Sequence, residues 1–127
     1  MEELSKLDIC AVSNLISTRE VSALEVTQIA VKRAQELQPS INAFIHLEAE
    51  EALEEAEVID NTIKNGDQVG PLAGVPLAHK DMFYRAGKVT TCGSKIRAKF
   101  KSDRTSTALD RLSRAGAVYL GGLNMSE

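Results

Sequence analysis

Apolar residues recur at helical spacing through the first half of the chain and in short unbroken runs through the second. Ile9, Val12, Leu15 and Ile16 follow Asp8, a residue type whose side chain caps helix starts, and they predict a short first helix. Ser22-Ala23-Leu24-Glu25 is a capping box: the serine oxygen takes one free backbone N–H and the glutamate reaches back for another. Val21 and Val26 stand where a hydrophobic staple would close. This second helix presents Val26, Ile29, Ala30, Ala34 and Leu37 on one face, and Pro39 is expected to stop it, because proline disfavours helix at the residue before it. A short strand is predicted over Asn42–His46. A third helix then runs from about Glu48, with the stripe Ala49, Ala52, Leu53, Ala56, Ile59 and Ile63, and ends at Asn65-Gly66.

From Gly70 the pattern changes to Pro/Gly punctuation. Val75 to Ala78 reads as a buried strand bounded by Gly74 and Asp81, with Pro76 at its start or on a free edge because it has no N–H to donate. Thr105 or Ser106 caps a last helix carrying Ala108, Leu109, Leu112 and Ala115, Gly116 ends it, and Ala117–Leu120 forms a second strand. Strand, helix, strand predicts parallel pairing, with cover needed on both faces. Gly121-Gly122 lacks the G-K-[ST] ending of a phosphate loop and reads as a turn. The order predicts an α/β fold, residues 1–66 mainly helical and residues 67–127 a β-loop-α-β unit, in a single domain truncated after Glu127.

Composition narrows the function classes. Apolar residues at 43% and charged residues at 26% are ordinary for a folded domain, and a net charge of −3 gives no overall attraction to nucleic acid or anionic membrane. No apolar run approaches the roughly 18–20 residues that span a bilayer, and the acidic start Met1-Glu2-Glu3 is unlike a signal peptide, so a cytoplasmic protein is expected. Cys10 and Cys92 lie far apart, and His46 and His79 share no metal-ligand spacing; no metal, cofactor or disulfide is expected. Both histidines read as structural, and Cys92 as a small apolar residue. Lys88, Lys95, Arg97, Lys99, Lys101 and Arg104 form a local basic stretch with Phe100 inside it, most simply a set of solvated cations.

Lys80 is the position with the clearest chemistry. A lone lysine is ordinarily a solvated surface residue, but this one follows an apolar strand, and the carboxyl ends of strands in open α/β sheets are favoured places for catalytic groups. The segment Gly70-Pro71-Leu72-Ala73-Gly74-Val75-Pro76-Leu77-Ala78-His79-Lys80-Asp81, then Thr91-Cys92-Gly93-Ser94, then Ala115 to Glu127 with Asn124-Met125-Ser126-Glu127, closely resembles the N-terminal part of amidase signature enzymes. The resemblance covers roughly the last 58 residues, in order and with no large gap.

It implies helices packed on a mixed sheet. It also implies an enzyme acting on a small carboxamide through a nucleophilic serine, a serine on a cis peptide bond and a lysine base. Of these only the lysine, Lys80, carries over; the rest of the domain would have to supply the serines. Such a lysine must start neutral, which takes burial, and Asp81 beside it should point away and bond backbone groups instead. Thr91, Gly93 and Ser94 match a turn bordering the family's site, Ser94 bonding local backbone rather than attacking substrate, and Asn124 and Met125 match a motif that helps shape the substrate pocket. One branch comprises the A subunits of tRNA-dependent amidotransferases, and nucleic acid is an expected partner only there. His79 and Met82-Phe83-Tyr84 depart from that branch, which favours a general amidase. Without its serines the chain alone is expected to be inactive. A non-catalytic interaction module is the alternative of another class. Self-association is anticipated, because Val75–Ala78 and Ala117–Leu120 would present open strand edges.

Overall fold

A computed structural model of the chain describes residues 4–126. Met1–Glu3, the acidic start, and Glu127, the last position of the terminal motif, lie outside the described residues. Helices α1 (Ile9–Ser17), α2 (Ala23–Ile41) and α3 (Ala49–Lys64) precede most of the sheet, with strand β1 (Phe44–Leu47) between α2 and α3. Strand β2 (Pro76–Lys80), helix α4 (Thr107–Arg114) and strand β3 (Val118–Leu123) follow, and one-turn 3₁₀ helices cover Leu4–Lys6 and Lys95–Arg97.

The predicted helix starts form as their chemistry requires. Asp8 accepts from Ala11 N, Ser22 and Glu25 make both bonds of the capping box, and Ser106 accepts from Leu109 N. Asp60 of α3 adds a second cap to α2, its two oxygens accepting from Ala23 N at 2.7 Å and Leu24 N at 3.0 Å. Pro39 does not stop α2, which runs two residues further to Ile41. A proline in the last turn removes one helical bond only, and Asn42, left-handed at φ 46°, closes the end by donating its N–H to Gln38 O. The Gln38 side chain then bonds both Phe44 N and Phe44 O, standing in for a strand neighbour where β1 begins.

The sheet order is β1-β3-β2, β3 pairing parallel with β2 and antiparallel with β1. Pro76 is the first residue of β2, as its missing N–H demands. Among the described residues β1 and β2 are the outer strands of the sheet. The expectation of a free edge on the second strand is narrowed: β1, read from sequence as a short strand, pairs with the Gly121–Leu123 end of β3 and closes its edge there.

Gly121-Gly122 is not a turn either; both glycines lie inside β3, at an irregularity in its register. Gly121 has φ 138°, and a Cβ there would meet His46 O at 2.0 Å, so β1 can approach β3 only because no side chain intervenes. Ile16, Val26, Val31, Ala52, Ala56, Val75, Val118 and Leu120 form the buried core between the helices and the sheet. Each large aliphatic side chain there contributes about 1.5–3 kcal/mol.

Candidate active site

Because β2 and β3 run parallel, with Lys80 opposite Leu123, their carboxyl ends open at one edge of the sheet. Lys80 ends β2 with its side chain exposed, and its Nζ donates to Ser126 Oγ at 3.0 Å. Ser126, in the terminal Asn124–Glu127 motif, therefore stands beside the lysine, a contact the sequence reading does not predict. It arrives there because β3 carries the chain back to the level of Lys80 and three more residues bring Ser126 alongside. Both side chains are exposed, so residues 4–126 do not supply the burial a lysine base requires.

Asp81 turns the other way and is 2% exposed. Its Oδ2 accepts from Thr91 N at 2.9 Å, Thr91 Oγ1 at 2.5 Å and His46 Nε2 at 3.2 Å. The backbone bond to Thr91 matches the sequence expectation; the threonine hydroxyl and the histidine are additional partners that no local pattern predicts. The main chain of Asp81 is tied as well, its N donating to Leu123 O at 3.0 Å and its O accepting from Cys92 N at 2.8 Å. The turn over residues 91–94 is thereby held against the ends of both strands. Cys92 at φ 53° and Gly93 at φ 68° make it tight, and Thr91 Oγ1 also accepts from Gly93 N.

The other predicted positions divide. A Cβ on Gly93 would lie 3.0 Å from Met125 Cγ, so the 91–94 turn and the end of β3 meet. Ser94 caps the turn Lys95–Arg97, accepting from Ile96 N, a local backbone role. Asn124 faces away from Lys80: its N donates to Ala43 O at 2.7 Å and its Nδ2 to Asn42 O at 3.1 Å, which ties the end of β3 to the approach of β1.

Next to Lys80, His79 is buried and packs edge-on against the Tyr119 ring, centroids 5.7 Å apart. Its Nδ1 lies 3.0 Å from Lys80 O, which can only accept, so the proton is assigned to Nδ1. Burial pulls the imidazole below its ordinary value and keeps it neutral. The Arg85 guanidinium stacks 4.8 Å from the Tyr119 centroid and donates to Glu48 at 2.6 Å. Lys88 pairs with Glu48 and Glu51, and Glu48, so engaged, makes no side-chain cap for α3. Burial raises the Glu55 carboxyl above its usual range. The basic stretch is partly used up inside the fold. Lys88 is paired, and Arg97 lies 4.1 Å over Phe100 and bonds the Tyr84 hydroxyl, leaving Lys95, Lys99, Lys101 and Arg104 in solvent, the last beside the exposed Asp103.

A family model described as Amidase matches residues 25–127. The chain belongs to the amidase signature family. Its curated relatives include the glutamyl-tRNA(Gln) amidotransferase A subunit of Thermobifida fusca, 42% identical over the whole of this chain and 26% of that protein. The corresponding protein of a Cyanothece species is 46% identical over 87% of this chain and 23% of its own length. Among solved structures, native peptide amidase from Stenotrophomonas maltophilia superposes with a TM-score of 0.86 at 33% identity, over 94% of this chain and 25% of that one. The chain thus spans about a quarter of the amidase signature proteins it matches.

Proposed function

We propose that residues 1–127 are the N-terminal, lysine-bearing part of an amidase that converts a small carboxamide to carboxylate and ammonia. The observation that carries this reading is the placement of Lys80 at the carboxyl end of β2, beside the 91–94 turn and residues 124–126, in a chain whose family match spans all three segments. Lys80 acts as the base in a Ser-cisSer-Lys arrangement whose two serines come from outside these residues. A serine oxygen attacks the carbonyl, its proton passes through the cis serine to the lysine and on to the leaving nitrogen, and water then frees the acyl group.

The native gene product, expressed from its own gene, tests this by ammonia release from small carboxamides. Lys80→Met should lower kcat about a thousandfold or more, and unchanged turnover would contradict the base role. The 127-residue chain alone should release none; turnover by it that Lys80→Ala abolishes would contradict that expectation.

A second reading is favoured by the curated relatives at 42% and 46% identity: glutamine hydrolysis as the A subunit of a tRNA amidotransferase, with ammonia passed to another polypeptide of the complex. Ammonia released from simple carboxamides without tRNA or partners supports the first reading; release from glutamine only in their presence supports the second. A non-catalytic module would release none under either condition. Self-association through the open edge of β2 belongs to this proposal, and a monodisperse monomer at high concentration would argue against it. So does a cytoplasmic location. No described helix is long and apolar enough to cross a membrane.

A further inference from the structure

We propose that His46 is a positioning residue, which locks the buried Asp81 carboxylate and so fixes the 91–94 turn against Lys80. Topology sets the distance to be bridged. His46 is on β1 and Asp81 follows β2, and β3 lies between them, so the two backbones are about 10 Å apart, two strand spacings. Side chains separated by a strand normally meet that strand's own side chain. Here the intervening position is Gly122, opposite both His46 and His79, and a Cβ on it would fall 2.8 Å from Asp81 Oδ1. The missing side chain leaves room for the Asp81 carboxylate, and His46 Nε2 comes within 3.2 Å of it.

The chemistry of the contact follows from what each atom can do. An ionised carboxylate only accepts, so His46 must present Nε2–H, as the neutral Nε2 tautomer or as imidazolium. Asp81 is 2% exposed while the His46 side chain is 32% exposed, so the histidine closes the solvent side of a buried charge. Without it, one carboxylate would hold two Thr91 donors with the third partner missing, and a buried charge short of partners is costly. Since Asp81 also binds Leu123 O and Cys92 N through its main chain, loosening its carboxylate loosens the turn from both strand ends. The consequence for catalysis rests on the reading of Lys80 as base; the lock itself does not.

The experiment is nuclear magnetic resonance on the isotope-labelled native gene product. Long-range proton–nitrogen correlation at neutral pH should find the His46 proton on Nε2, and the His79 proton on Nδ1. Amide exchange of Thr91, referenced to Val118 in the core, should speed up about tenfold in His46→Leu, the worth of one hydrogen bond to a charge, and return towards the wild-type rate in His46→Gln, which keeps a donor. A neutral His46 carrying its proton on Nδ1 would overturn the proposal. Equal Thr91 protection in folded His46→Leu and wild type would do so too. Should His46→Leu fail to fold, the wild-type tautomer decides. Lys80→Met should leave both readouts unchanged, which separates failure of the lock from failure of the base.

Discussion

In the helical half, the buried side chains are Val12, Ile16, Ala23, Val26, Thr27, Val31, Ala52 and Ala56, all but one of them apolar. Between β2 and α4 they are Asp81, Thr90, Thr91 and Ser102, every one polar. The first region is stabilised by area removed from water. The second, which carries most of the candidate site, is stabilised by donors meeting acceptors: Thr91 on Asp81, Thr90 N on Phe100 O, Gly87 N on Ser102 O, Ser106 N on Tyr84 O, and the Ser102 hydroxyl on Arg104. Apolar packing tolerates small shifts at modest cost, whereas a buried polar cluster is stable only when nearly every member is satisfied. A site assembled the second way is held more precisely and is lost more abruptly.

Substitutions on either side should expose that contrast. Asp81→Ala strands the N–H and hydroxyl of Thr91 and the His46 donor, and should cost about 4 kcal/mol, measured by urea unfolding. Ile16→Ala, at a side chain 2% exposed in the core, should cost about 3 kcal/mol and lower the whole transition. Gly122→Ala pushes a methyl group against the Asp81 carboxylate and should cost about 2 kcal/mol, more than an alanine added to an ordinary strand. Ser22→Ala, which removes the serine cap of α2 and leaves the two Asp60 bonds, should cost about 1 kcal/mol.

The smallest effect is a pH dependence. Burial holds folded His79 below its ordinary value, so below about pH 6.5 the unfolded chain binds more protons and stability falls as the solution is acidified. His79→Phe should remove that slope. Glu55 has the opposite sign, since its carboxyl is raised in the fold: stability is present below the ordinary carboxylate value and lost as pH rises through the folded one. Glu55→Gln should therefore be neutral or stabilising at pH 7, and the difference should vanish near pH 4.

The same contrast explains what can be read from the residues alone. Periodicity and capping chemistry are local, so α1 to α4, the capping box at Ser22 and the parallel pair β2 and β3 are legible. Lys80, Asp81 and the 91–94 turn are legible as a resemblance, and the structure gathers them at one edge. Three things are not. Pro39 inside α2 depends on what Asn42 and Gln38 do beyond it. Gly121-Gly122 looks like a turn until β1 is known to press against it. His46 and Ser126 gain partners from residues 35 and 46 positions away, and no local pattern announces such a pairing.

The most direct test is residue-by-residue hydrogen exchange of Asp81→Ala beside Ile16→Ala. If the two regions are held as described, Asp81→Ala should speed exchange from Thr90 to Ser94 while Val118 and the amides of α2 keep their protection, and Ile16→Ala should lower protection in both regions together. Uniform loss in Asp81→Ala, or a 91–94 turn as protected without the carboxylate as with it, would contradict the account.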